Sequence, residues 1–456
     1  MMDRDYDVIV VGAGGAGLAA AHMAAQAGAR VLMVEAGDKA GGSTALSGGV
    51  FYAAGTSLQR RAGIEDTPEA LYRYYLHINQ YKLDPALVRR LCHDATPAFD
   101  WLVGLGVDFP EENLYCSGVD KIRRGHRARG HGAEIAEVLE GSLSGLAVDM
   151  ALRSRVQELL VEDGRVAGIL VEGDRVTAGA VVLATGGFGA NRQLLAELYP
   201  TAAAQGELSW YIGSPHSQGD GIRIGRRLGA GITRPDRGLL LMTPGWEKEL
   251  ETYLPPWLIL VTHEGRRFVD ESCEYSILSE LLNEQTAREC FAIFDEAARR
   301  EARSATAPNW SADRLAHFAA RGQVAQADTL EGLAAQLGID AATLATTVAA
   351  ANRAAETGRD AHFFKPAEHL KPISTPPFYG ARIRPAIVCW TGTGLRIDTE
   401  ARVLDQADRP IAGLYAAGET TGGMFGPCYA GGGASIGNAI VFGRVAGSNA
   451  AAEARP

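Results

Sequence analysis

"YDVIVVGAGGAGLAAAHMAAQAGARVLMVEAG", residues 6–37, decides how the rest of the chain is read. Val8 to Val11 form a continuous apolar run, the pattern of a parallel strand buried on both faces. Gly12, Gly14 and Gly17 then give GxGxxG. The first glycine permits the tight turn, the second a close approach of pyrophosphate, and the third close packing of helix on strand. The small-residue segment Ala16 to Ala27 reads as a helix whose free N-terminal N–H groups and dipole favour an anion. A second strand, Arg30 to Val34, ends at Glu35, 18 residues beyond Gly17, where a carboxylate can accept from ribose hydroxyls. A lone GxGxxG is weak evidence. Strand, glycine turn, helix, strand and terminal acid in order predict a dinucleotide site.

The chain has 456 residues, enough for two or three domains, and 46% of them are hydrophobic. With 44 Lys+Arg against 54 Asp+Glu the net charge is −10, which argues against a general nucleic-acid binder. The 55 glycines exceed the usual share of roughly 7% and cluster in short runs without a period, so no collagen-like repeat is expected. Six cysteines show no CxxC spacing, which predicts reduced thiols rather than a disulfide framework or zinc site. The start lacks the basic and apolar regions of a signal peptide, and no membrane span is expected. These features together predict a cytoplasmic protein.

Two later stretches bear on the cofactor. "AGAVVLATGGFGAN" (178–191) is a buried strand running into Thr185, Gly186 and Gly187. "PIAGLYAAGETTGG" (410–423) is a strand ending in Gly418 and Glu419. With the N-terminal fingerprint they resemble FAD-binding oxidoreductases, and "DKAGGSTALSGG" (38–49) resembles the loop of that class that lies against the flavin.

The middle of the chain narrows the likeness. "THEGRRFVDES" (262–272), "QADTLEGLAAQLGID" (326–340), "PPFYGARI" (376–383), "TGTGLRID" (391–398) and "GLYAAGE" (413–419) resemble the fumarate reductase flavoprotein superfamily over essentially the whole chain. The resemblance implies an α/β fold: a Rossmann-like FAD-binding domain split in sequence, 1–204 and 371–456, around an α+β capping domain at 205–370. Helical spacing from a cap at Thr329, with a break at Gly338, agrees with a helical insert. The cofactor-binding residues it implies begin with Gly12, Gly14, Gly17, Glu35, Ala36, Ser43, Thr44, Gly48 and Gly49. Val156, Thr185, Gly186, Gly187, Asp220, Gly418, Glu419, Ser435 and Ile436 complete the set. No histidine stands in "GGSTALSGG", so noncovalent FAD is expected, with no metal.

Fumarate reductases bind a dicarboxylate with arginine and histidine, and this sequence departs at those places. Tyr275 stands where the cap arginine would follow "FVDE", Met424 and Phe425 replace the late histidine, and "GGGASIGNAI" carries no arginine. A dicarboxylate would enter uncompensated, which is costly. The replacements resemble the 3-ketosteroid dehydrogenases, which pair a tyrosine with a glycine four residues on to polarise a ketone. "GPCYAGGGASIG" (426–437) supplies Tyr429 and Gly433. The resemblance implies Tyr275 as the base removing an α-proton, with the β-hydrogen leaving as hydride to flavin N5. It implies Tyr115 in "PEENLYCSG" as the hydrogen-bond partner of Tyr275. The expected partners are a cyclic ketone, steroid or smaller, and an unidentified electron acceptor. The same half-reaction reversed, an ene-reductase, is the alternative.

Other polar stretches keep two readings. "RRGHRARGHG" (123–132) is either an anion contact or a solvated basic loop. His216 in "SPHSQGDG" either touches substrate or is structural. Trp246, Tyr253 and Trp257 are either an apolar rim or core.

Overall fold

The computed structural model describes residues 4–248, 253–285, 287–303 and 307–455. They form two compact units. The first combines Met1–Pro200, Gly213–Leu239 and Cys389–Pro456, and the second Thr201–Ile212 with Leu240–Val388. The sequence sets its boundaries at 204 and 370, whereas the observed contacts return residues 213–239 to the first unit and carry the second on to Val388. Bonds explain that return: Ser214 N–H donates to Ser43 Oγ (2.9 Å) and Gly221 N–H to Thr185 Oγ1 (3.0 Å). No composition shift marks either crossing.

The first unit is built on a parallel sheet. β1 (Tyr6–Val11) lies between β2 (Val31–Val34) and strand Asp174–Leu183, parallel to both. Val148–Ala151 extends the sheet beyond β2, and Pro410–Ala416 pairs parallel with Asp174–Leu183 on the other side. Val8, Ile9 and Val10 are fully buried, as the unbroken apolar run requires. The N-terminal helix α1 (Gly15–Gln26) packs against the C-terminal helix Ala434–Ala454. That contact is backbone against backbone. A Cβ at Gly443 would lie 2.4 Å from the Ala16 carbonyl oxygen, and one at Gly447 2.1 Å from that of Ala20.

A three-stranded antiparallel sheet, Val50–Tyr52 with Gly125–Arg127 and Leu114–Tyr115, belongs to the same unit. His126 is wholly buried within it. Its Nδ1 faces only carbonyl oxygens, of Arg124 (2.8 Å) and Phe51 (3.1 Å), so Nδ1 carries the proton and Nε2 accepts from Thr56 Oγ1 (2.8 Å). Arg124 is 1% exposed rather than solvated; Asp66 holds it through two bonds of 2.7 and 2.9 Å and Asp120 through one of 2.6 Å. The basic stretch is thus internally neutralised at this position.

The second unit carries a six-stranded sheet in which Cys290–Asp295 runs antiparallel to Phe378–Thr391, with Ala292 opposite Ala381. Helices Leu330–Leu337 and Ala341–Thr357 flank a left-handed Gly338, and Thr329 caps the first by accepting from Gly332 N–H (3.0 Å). Trp246 stacks on Phe318 at 4.6 Å, and both Trp246 and Trp257 pack against the core around Trp310.

Two expectations follow. Gly447→Ala drives a methyl into the Ala20 carbonyl and should cost about 3 kcal/mol in urea unfolding. Burial lowers the His126 pKa from 6.5 to about 4, so its contribution is present above 6.5 and is lost as pH falls toward 4. The unfolding free energy should drop by about 3 kcal/mol across that window, and His126→Asn, which keeps a donor but cannot titrate, should flatten the limb.

Candidate active site

The glycine turn after β1 fits a nucleotide by the space it leaves. Gly12 has φ +106°, and a Cβ there would lie 2.2 Å from the Ala184 carbonyl oxygen; at Gly17 it would lie 1.8 Å from that of Gly12. At Gly14 a Cβ would meet nothing within 4 Å, and Gly14 is the N-cap of α1 without a side-chain cap. Backbone is therefore crowded where strand meets helix and open where a phosphate would approach. Glu35 accepts from Ala13 N–H (2.8 Å) and Gly37 N–H (2.7 Å), which fixes its carboxylate beside the turn. Ala36 follows it, half-buried.

The other residues assigned to the cofactor occupy the same unit. Ser43 and Thr44 lie on the short helix Gly42–Leu46, and Thr44 Oγ1 accepts from Gly15 N–H (3.2 Å). Gly48 is open, but Gly49 (φ +65°) holds its place because a Cβ would meet His131 at 2.1 Å. Val156 and Asp220 line an open cleft of roughly 670 Å³ with Arg153, Arg155, Arg223 and Arg227. Asp220 is ion-paired there to Arg155 and Arg223. Thr185, Gly186 and Gly187 follow the strand Asp174–Leu183, and a Cβ at Gly187 would lie 2.4 Å from Glu419 Oε1. Gly418 has φ +72°. Glu419 Oε1 accepts from Thr391 N–H (2.8 Å) and Thr391 Oγ1 (2.7 Å). Burial nevertheless raises this carboxyl to about 7, against the lowering effect of its Thr391 and Gly187 bonds.

Tyr429 stands at the start of the C-terminal helix. Its phenol oxygen accepts from Ser435 N–H (2.8 Å) and its O–H donates to Ser435 Oγ (2.9 Å). Ser435, assigned to the cofactor from the sequence, thus accepts at Oγ from Tyr429 and gives it its N–H; Ile436 beside it is buried. Gly433 is the N-cap, with φ +100°, and a Cβ would lie 2.6 Å from the Val50 carbonyl oxygen. Among the described residues its N–H has no hydrogen-bond acceptor. A phenol and a free N–H therefore sit together at the positive end of a 21-residue helix. Burial raises the Tyr429 phenol well above its ordinary pKa, although the Ser435 bonds oppose this. The ring stacks on Phe425 (5.4 Å, 20°) and lies 5.9 Å from Trp390, whose buried indole nitrogen has no partner among the described residues. Tyr115 lies on the three-stranded sheet with Arg127 over its ring at 4.9 Å.

Tyr275 belongs to the second unit. It opens helix Tyr275–Asn283, is 5% exposed, and meets Tyr253 edge-on at 5.3 Å. The preceding Glu274 caps that helix by accepting from Ser276 N–H (2.6 Å), and burial pushes its carboxyl up to about 7. His216 is exposed, close to Gly37. Among the described residues no cluster of three His, Cys, Asp or Glu could hold a metal, and no helix is long and apolar enough to cross a membrane.

Sequence reading missed Asn79, Tyr74, Ser117 and Trp390, which surround Tyr429. Asn79 lies 347 positions before its partner Gly426, and no local pattern signals such a contact.

Crowded and open glycines, a fixed acid after β2 and a parallel sheet define a dinucleotide-binding fold. The chain belongs to the FAD binding domain family, which matches residues 7–436. It is 33% identical to a fumarate reductase (cytochrome) of Shewanella frigidimarina over 98% of this chain and 77% of the relative. A 3-oxosteroid 1-dehydrogenase of Mycolicibacterium smegmatis is 27% identical over 100% of this chain and 98% of its own. The crystal structure of a 3-ketosteroid-Δ4-(5α)-dehydrogenase of Rhodococcus jostii with 4-androstene-3,17-dione superposes with a TM-score of 0.84 at 29% identity, covering 99% and 98% of the two chains. The protein is an FAD-dependent oxidoreductase of CH–CH groups.

The sign of the Glu419 effect can be checked without substrate. Its folded pKa is raised above the ordinary carboxyl value of 4.5, so the stability it contributes is present below 4.5 and is lost as pH rises through about 7. In protein freed of FAD, Glu419→Gln should raise the unfolding midpoint at pH 8 and leave it unchanged at pH 4, read by chemical denaturation.

Proposed function

We propose that the protein desaturates a cyclic ketone, steroid or smaller, placing a C=C bond α,β to the carbonyl. The observation that supports this best is the pairing of Tyr429 with the free Gly433 N–H at a helix N-terminus. Tyr429 turns its O–H from Ser435 to the ketone oxygen, and Gly433 N–H donates to the same atom. Two preorganised donors stabilise the enolate charge that develops as the α-proton leaves. Tyr275 takes that proton, with Tyr115 as its hydrogen-bond partner. Bound FAD supplies the two-electron acceptor for the β-hydrogen, which departs as hydride. Glycines 12, 14 and 17, Glu35 and Glu419 hold that cofactor noncovalently. Phe425 and Trp390 make the surroundings of Tyr429 aromatic and apolar, which suits a ring rather than a dicarboxylate. The 33% identity to proteins named fumarate reductase and urocanate reductase favours a second reading, reduction of an unsaturated substrate by the same groups.

Anaerobic mixing of the yellow protein with 3-ketosteroids, cyclohexanone, 4-oxocyclohexanecarboxylate and succinate separates these readings. A ketone should bleach the flavin, with Tyr429→Phe and Tyr275→Phe each lowering the rate about 100-fold or more. If no ketone bleaches it, yet an unsaturated acid reoxidises the reduced protein, the reductase reading holds.

A further inference from the structure

The segment carrying Tyr429 is glycine-rich and has little side-chain bulk to fix it, so something else must hold the phenol in place. Asn79, at the end of helix Pro68–Ile78, is wholly buried. Its Oδ1 accepts from Gly426 N–H and from Cys428 N–H, both at 3.0 Å, and its Nδ2 donates to the Tyr75 carbonyl at 3.1 Å. One amide thus closes the two N–H groups just before Tyr429 onto the end of a helix. On the far side, Tyr74 Oη donates to the Ala430 carbonyl (2.7 Å) and the Ser117 carbonyl accepts from Gly432 N–H (3.2 Å). Helix Pro68–Ile78 therefore grips the backbone on both sides of Tyr429.

We infer that Asn79, supported by Tyr74, is a positioning residue that sets where the Tyr429 phenol presents its proton. The inference rests on the oxyanion reading above. Asparagine suits the task because one oxygen can take two N–H donors while the nitrogen still serves a carbonyl. Alanine would leave the Gly426 and Cys428 N–H groups without their Asn79 acceptor in the interior, so the segment would shift.

A double-mutant cycle tests it, using the ketone that bleaches the flavin fastest. Asn79→Ala alone should lower kcat about 30-fold with KM little changed, short of the 100-fold that a 1 Å misplacement can cost. In a Tyr429→Phe background the same change should lower the residual rate less than about 3-fold, because the group being positioned is gone. Affinity of the oxidised enzyme for the enone product, read from tryptophan fluorescence, should show the same non-additivity. Asn79→Asp supplies a rescue: protonated, the new carboxyl accepts from both N–H groups and donates to the Tyr75 carbonyl, so activity should return at pH 5.5 and fall by pH 8.5 relative to the parent. Equal losses in the two backgrounds would overturn the positioning role and leave the oxyanion reading standing. An unaffected rate in Tyr429→Phe itself would remove both. Should Asn79→Ala fail to fold, Tyr74→Phe, which deletes one hydroxyl, carries the same cycle.

Discussion

The first unit depends on backbone coming closer to backbone than any side chain allows. Gly17 against the Gly12 carbonyl seats α1 on the end of β1, and Gly443 and Gly447 against Ala16 and Ala20 seat the C-terminal helix on α1. These contacts fix two helix N-termini in one unit. α1 begins just after its N-cap Gly14, which has no side chain to cap it and leaves its own face open. The C-terminal helix presents Gly433 and, through Ser435, the Tyr429 phenol. Any residue larger than glycine at the close approaches would push the two ends apart.

Electrostatics in the same unit follow from burial. Arg124 is enclosed yet fully paired, so its charge is a structural tie rather than a ligand contact. Glu419 is tied to Thr391 yet enclosed enough to hold a proton near neutrality. Tyr429 resists ionisation, which suits a donor that must keep its hydrogen. A base must behave in the opposite way, and that role falls to a different phenol.

The nucleotide fold was legible because its signal is local: strand, glycines, helix and acid follow one another within 37 residues. The Thr329 cap and the Gly338 stop were legible for the same reason. The boundaries were not. Residues 213–239 join the first unit through bonds scattered along the segment, those of Ser214 and Gly221 among them, which leave no mark on composition. The candidate site was half legible. Tyr429 and Gly433 announce themselves in one glycine-rich run, but Asn79 and Tyr74 reach them from a helix that looks, in sequence, like any amphipathic segment. Ser435, which the sequence resemblance gives to the cofactor, also bonds Tyr429 through its N–H and Oγ, a link no local pattern signals.

Strand Pro410–Ala416 is inserted beside Asp174–Leu183, and Gly426 and Cys428 close onto Asn79. On the ribosome, then, the first two hundred residues emerge with one edge of their parallel sheet unpaired and an Asn79 amide lacking two of its partners. Both wait for residues more than 200 positions further along the chain. An exposed strand edge is a template for wrong pairing. The arrangement therefore leaves a strand edge open in the nascent chain until residues 410–428 have been made, and makes their arrival the step that closes it.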